Sequence, residues 1–411
     1  MAIFPKYRLM VNRAIRAGLG AHATSRASLS RLIYAELSAE HRGLSKYVVQ
    51  ALDDAVAILH AHFKRERKSH ANRKPYVMRP YLKAGRSSFH FDAETGNLRL
   101  SVGNGSWVMF QLPTSAWHRA QLRDAAARLV QVIVKPGKVV LVLSKPAPPA
   151  YEPESIVALD TNEESFDGVL ADGDRACLAR VPFGDLRAVQ ARHFERRRRL
   201  ARKKAHDRRL KQRLLGREGK RESDRVKSRL HLVSKGLVET AKTRKAAIVL
   251  EDLTGIRRFF SPRLNRRLSA WPHRELHRQV AYKAQAAGVP VILVNPYLTS
   301  QKCAMCGWTP KRSNARRSAR RIDAMFVCGR PDCSWKVNRQ FNAGVNILRT
   351  ALAARPGLGG VRFHLDALSH DAMNLLYAPA PRAARGERMG RESQTSAISV
   401  TMATPSTAAG P

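Results

Sequence analysis

Residues 155–181, SIVALDTNEESFDGVLADGDRACLARV, decide the fold. A run of buried-type residues ends at Asp160. Two more apolar runs follow, Phe166–Leu170 and Ala176–Val181, each set off by turn-forming residues. That pattern reads as three short strands joined by tight turns, with a carboxylate at the end of the first. Just upstream, KPAPPAYEPES is rich in proline and reads as a linker, which places a domain boundary near residue 150.

Downstream, ERRRRLARKKAHDRRLKQRLLGREGKRESDRVKSRL is strongly cationic. Within and beyond it Val226, Leu230, Val233, Leu237 and Ala241 recur at helical steps, so one face of a long helix is buried and the rest is basic. KAAIVLEDL then reads as a buried strand ending at Glu251. ELHRQVAYKAQAAG reads as a helix stopped by Gly288, and VPVILVNP as a further strand. VNRQFNAGVNIL opens a last helix, with Asn342 and Asn346 one turn apart. A carboxylate at a strand end in so basic a chain is a candidate Mg2+ ligand. Taken singly, Asp160 or Glu251 reads equally well as a turn cap or an arginine partner. Taken together they fit an RNase H-like layout: Asp strand, two antiparallel strands, helix, Glu strand, helix, strand, final helix. Two-metal phosphodiester hydrolysis on that layout needs a third acid at the start of the last helix.

Upstream of the linker, residues 28–67 repeat apolar residues at helical steps, and residues 85–146 alternate in the manner of hairpins, with KPGK as one turn. Residues 1–150 therefore read as a small β-barrel with a helical insertion. The expected class is α+β and multidomain: this barrel, an RNase H-like α/β core over 155–300 with its basic helical segment, a cysteine segment over 301–336, the last helix over 337–352, and a mostly disordered tail over 353–411 that includes a short helix near DALSHDAMNLLY.

The 411 residues carry 74 Lys plus Arg against 32 Asp plus Glu, a net charge of +42. Such a field repels itself unless a polyanion neutralises it, so nucleic acid is the expected partner. The candidate contacts are Arg196, Arg197, Arg198, Arg199, Arg202, Lys203, Lys204, Arg208 and Arg209, together with the basic segment TPKRSNARRSARR. No apolar run is long enough to span a membrane and no apolar leader is evident, so the expected location is the cytoplasm. Of five cysteines, four form Cys303-x2-Cys306 and Cys328-x4-Cys333. Paired thiolates at these steps close a tetrahedral Zn2+ site, which is structural when all four positions are filled by protein.

Five stretches in order, IVALDTNEESFDGVL, IVLEDLTGI, VNPYLTSQKCAMCGW, FVCGRPDCSW and NRQFNAGVNIL, resemble the TnpB (OrfB) family of insertion sequences, relatives of compact type V CRISPR effectors. The resemblance is clear over about 155–350 and covers only the general layout before that. It implies first, second and third RuvC motifs around a zinc ribbon, and a guide-type RNA and double-stranded DNA as partners. It also implies an Asp–Glu–Asp nuclease site with Mg2+ in active members. By position Asp160 matches the first acid and Glu251 the second. The third motif of the family runs Asp-Arg-Asp-x-Asn-Ala-Ala-x-Asn-Ile. Here Asn338 and Gln340 replace both acids. The expectation is an RNA-guided DNA binder with an inactive nuclease, in which Gln340→Asp restores the missing ligand. The alternative is an active Mg2+-dependent endonuclease borrowing Asp323, Asp332, Asp366, Asp172 or Asp174.

Overall fold

The computed structural model describes residues 3–69, 74–173, 175–203, 206–254, 270–309, 325–355, 358 and 368–375. The chain divides into two units, with the break between Pro146 and Ala147, inside the proline-rich linker.

The first unit begins with three helices, α1 (Ile3–Gly20), α2 (Arg26–Glu40) and α3 (Ser45–Ser69). The helical part thus opens the unit instead of being inserted among the strands. In α1 the residues Tyr7, Met10, Val11, Ala14 and Ile15 are buried at helical steps. Pro5 in the first turn hides that signal in the sequence, although the first turn is where a helix tolerates proline. The strands β1 (Leu82–Gly85), β2 (Phe89–Phe91), β3 (Asn97–Gly103), β4 (Ser106–Gln111), β5 (Arg128–Lys135) and β6 (Lys138–Ser144) follow, with α4 (Ala116–Arg123) between β4 and β5. They pair as two three-stranded sheets, β1-β5-β6 and β2-β3-β4, where the sequence suggests one small barrel. Each sheet has a register shift, at Leu129/Gln131 and at Ser101/Gly103, which bends its ladder. Tyr7, Leu29, Tyr47 and Leu59 of the helices share one core with Leu82, Leu98, Val132 and Leu141.

The second unit is built on a mixed six-stranded sheet. Its strands are β7 (Ser155–Thr161), β8 (Ser165–Asp172), β9 (Arg175–Pro182), β10 (Ala246–Glu251), β11 (Val291–Val294) and β14 (Leu368–Leu375), in the order β11-β10-β7-β8-β9-β14. β8 is antiparallel to β7 and β9, and the other neighbours are parallel. The cationic stretch forms α5 (Leu186–Lys203) and α6 (Arg208–Thr243), with the Asp207 side chain capping α6 through the Leu210 N–H at 2.8 Å. Then come α7 (His273–Ala287), the short pair β12 (Met325–Val327) and β13 (Lys336–Asn338), and α8 (Arg339–Ala354). β14 corrects one expectation: residues 368–375 form a strand beside β9, where the sequence suggested a short helix in a mostly disordered tail.

Alternation along the strands separates the two faces of the sheet. Val157, Leu159, Phe166, Leu170, Ile248 and Leu250 pack under α6 and α7. Ile156, Ala158, Val169, Ala171, Ala247 and Val249 pack under α8 and the cysteine segment. Asp160, Asp167 and Glu251 continue the second set, so all three carboxylates lie on the face that α8 covers.

Candidate nuclease-type site and metal centre

Leu159 pairs with Leu250 in register, which sets Asp160 and Glu251 side by side at the ends of parallel β7 and β10. Their carboxyl groups are within hydrogen-bond reach of each other. Loss of hydration and the neighbouring Glu251 push the Asp160 carboxyl up to about 8, against the pull of Arg339. Glu251 is buried, and burial raises its carboxyl as well, offset by the hydroxyl of Thr299, which donates to Oε1. The pair therefore shares one proton readily near neutrality.

A third carboxylate stands beside them that the motif reading does not single out. Asp167 is directly opposite Asp160 across β7 and β8 and is 3% exposed, so little of it is left to solvent. Both its oxygens are engaged: Oδ1 accepts from Arg180 Nε, and Oδ2 from the Ser165 hydroxyl and from Asn162 Nδ2 at 3.0 Å. Arg180 lies opposite Asp167 on β9, and its Nη2 donates to Gln340 Oε1 at 3.1 Å. Gln340 does stand at this site, at the start of α8, but its amide oxygen is held by a guanidinium. The sequence signal for Asp167 was its place in FDGVL, just past the β7–β8 turn and in step with Asp160 once the hairpin is folded.

Asn338 has a different occupation. It is the N-cap of α8, its Oδ1 accepting from the Gln340 N–H at 2.9 Å. Of the other acids suggested as replacements, Asp172 lies five residues from Asp167 along β8, about 17 Å at strand rise. Asp332 sits in the cysteine segment and pairs with Arg330 at 2.9 Å. Asp174, Asp323 and Asp366 lie outside the described residues.

The two asparagines of α8 tie the cysteine segment to this site. Asn342 is fully buried. Its Oδ1 accepts from the Ala304 N–H at 2.9 Å and Trp335 Nε1 at 3.2 Å, and its Nδ2 donates to the Lys302 carbonyl at 2.8 Å. Asn346 Nδ2 donates to the carbonyls of Thr299 and Lys302, at 2.8 and 2.7 Å. Thr299 in turn holds Glu251, so the acid, the loop and the helix form one hydrogen-bonded chain.

Cys303, Cys306, Cys328 and Cys333 converge, with all four Sγ atoms within 4.8 Å of one another. Cys303 and Cys333 are 4.0 Å apart, and Cys306 and Cys328 are 3.6 Å apart. Four thiolates bound tetrahedrally to zinc stand roughly 3.8 Å apart, so the cluster fits a metal ion of that size. A hydrogen bond from the Trp308 backbone holds the Cys306 thiol down at about 7, whereas burial pushes Cys328 up to about 12. Gly329 packs against the Trp308 ring, where a Cβ would come within 2.4 Å.

Among the predicted nucleic-acid contacts, Arg196, Arg197 and Arg198 pair with Glu218, Glu222 and Glu195. Part of their charge is therefore spent inside the α5–α6 hairpin. Arg199, Arg202, Lys203, Arg208 and Arg209 are exposed at its tip and form no ion pair among the described residues. Lys204 and the basic segment from residue 310 to 321 lie outside the described residues. No helix among the described residues is long and apolar enough to cross a membrane.

Residues 273–347 match the family described as "Cas12f1-like, TNB domain". The TnpB-like protein MJ0751 of Methanocaldococcus jannaschii is 30% identical over 226 residues, which are 53% of this chain and 81% of that protein. The CRISPR-associated endodeoxyribonuclease Cas12f1 of Sulfoacidibacillus thermotolerans is 36% identical over 118 residues, 28% of this chain and 25% of that longer protein. Among solved structures, the Cas12f1 chain of a Cas12f1–sgRNA–target DNA complex superposes with a TM-score of 0.57 at 15% identity, over 84% of this chain and 80% of that one. At that identity the likeness is one of fold.

Proposed function

The chain belongs to the TnpB family, and from that premise we propose that it is an RNA-guided DNA-binding protein that holds its target without cutting it. In this reading the six-stranded sheet with α6, α7 and α8 is a RuvC-type, RNase H-like core, the cysteine segment is a zinc ribbon, and the first unit, with its three helices and two small sheets, is the N-terminal lobe. Guide-type RNA and duplex DNA are the partners, in keeping with the complex named for the structural relative. The net charge of +42 and the exposed arginines of the α5–α6 tip support a polyanionic partner. Cys303, Cys306, Cys328 and Cys333 would hold one Zn2+, which contributes folding energy and no chemistry.

The observation that carries the reading is Gln340. It occupies the position of the third acid, it is neutral, and it is engaged by Arg180. Asp160 and Glu251 remain, but Asp167, opposite Asp160 on β8, is paired with the same arginine. Two dications need more negative charge than this to leave water. The described residues do not fit a two-metal site. The alternative, an active endonuclease with a rearranged third carboxylate and Mg2+, is favoured by one observation, the placement of Asp167 opposite Asp160. It requires Arg180 to release Asp167.

Sequencing the RNA that co-purifies with the full chain tests the guided part of the proposal. A single enriched species encoded beside the protein's own gene is expected. Bulk RNA of no fixed sequence would contradict guidance and leave a general nucleic-acid binder.

A further inference from the structure

A dication site that has lost an acid can be left open to water, or its place can be taken by another positive group. The geometry at the mouth of β7, β8 and β9 distinguishes these. Asp167, nearly unexposed, faces Asp160 in register. Its Oδ2 accepts from Ser165 and Asn162 and its Oδ1 from Arg180. The same guanidinium spans to Gln340 Oε1 at 3.1 Å, and only about a third of the Arg180 side chain is exposed, at 35%. One fixed cation therefore links the carboxylate opposite Asp160 on β8 to the side chain at the third-acid position. A guanidinium has no lone pair, donates in a rigid planar fork and stays charged at every working pH.

Gln340 suits that neighbour. Its amide oxygen accepts from Arg180 while Asp167 supplies the neutralising charge, so the cluster Asp167–Arg180–Gln340 is internally balanced. We infer that Arg180 is a built-in cation occupying the place of a second divalent metal, so that the site is closed to it by a positive group and not merely by the loss of one ligand. The inference rests on the reading of Asp160, Glu251 and Gln340 as the three corners of a former two-metal site. It revises the expectation from the motif alone. An aspartate at position 340 would meet Arg180 and form an ion pair, and it would not be free for a metal. Reopening the site takes both changes, Arg180→Gln with Gln340→Asp.

The test is Mn2+ binding to the full-length, zinc-loaded protein, followed by calorimetry and by the electron paramagnetic resonance signal of free Mn2+, with no nucleic acid present. Wild type, Gln340→Asp, Arg180→Gln and the double variant are compared. Gln340→Asp alone is expected to gain no second ion. The double variant is expected to gain one and to bind Mn2+ about tenfold or more tightly than Gln340→Asp, the effect of removing a unit charge a few ångströms away in a partly solvated site. A second Mn2+ bound as tightly by Gln340→Asp as by the double variant would overturn the inference. Should the Arg180 variants fail to fold, melting of Gln340→Asp decides. A Tm held or raised without metal and barely moved by Mn2+ supports the new ion pair. A Tm lowered without metal and restored by Mn2+ contradicts it. None of these readouts involves cleavage, so catalysis by wild type would sink the proposed function while leaving this measurement standing.

Discussion

Asp160 shows what one residue inherits from its position. Placed at a strand end beside Glu251, its carboxyl is raised from 3.8 to about 8 by lost hydration and like charge. A group whose folded value is raised stabilises the fold fully below its unfolded value and loses that contribution as pH rises through the folded one. Asp160→Asn is therefore expected to raise Tm at pH 9 and to lose that advantage as the pH falls towards 4. Melting curves across this range check it, and a gain confined to acid pH would contradict the assignment. His277 runs the other way. Burial lowers it from 6.5 to about 4, with Thr161 Oγ1 at 2.8 Å from its Nε2 and Phe166 stacked on its ring. Stability that it contributes is present above 6.5 and is lost as pH falls through about 4. His277→Gln should flatten the decline of Tm in that window. An unchanged slope would mean that the ring titrates normally.

Among the elements, α8 carries most of the site's precision. Its Gly344 lies on Gly168 of β8, where a Cβ would come within 2.6 Å of a backbone atom. The helix sits this close to the sheet just beside Asp167. Gly344→Ala gains roughly 1 kcal/mol of helix propensity but costs on the order of 1–3 kcal/mol in overpacking, for a net loss of stability. Urea denaturation measures it, and a stabilised variant would show that helix and sheet part easily. On the opposite edge, Asn342→Ala leaves the Ala304 N–H without its acceptor and removes one bond each from Trp335 Nε1 and the Lys302 carbonyl, the latter still reached by Asn346. Each buried unmade bond costs about 1–3 kcal/mol. This variant should both unfold earlier and release zinc faster to a chromophoric chelator. Unchanged zinc release would separate the cysteine segment from α8. Much of this was legible beforehand. The strands ending at Asp160 and Glu251, the Gly288 stop and the cysteine pairs follow from local pattern and spacing. The Asp167–Arg180–Gln340 cluster does not, because it joins three elements whose side chains meet only once the sheet is registered. β14 escaped for a related reason: it carries no β-branched or aromatic residue to mark a strand, and its pairing with β9 spans nearly 200 residues of chain, about which local pattern says nothing.

At the scale of the whole molecule, charge dominates. With a net +42 and arginines exposed at the α5–α6 tip, affinity for nucleic acid should fall steeply with salt, by about −0.9 in the log–log slope for each phosphate neutralised on duplex DNA. Replacing Arg199, Arg202 and Arg209 together should make the slope shallower. A flat dependence in wild type would place the charge away from the interface. The cationic surface suits a nucleic-acid partner whatever the state of the carboxylates. In the proposed reading the chemistry hangs on one corner, where Gln340 and Arg180 meet. The direct test supplies wild type with its co-purified RNA, a matching DNA duplex and Mg2+, and follows binding and strand scission in the same reaction. Retained binding with intact DNA is the predicted result. Robust cleavage that disappears in Asp160→Ala would contradict it.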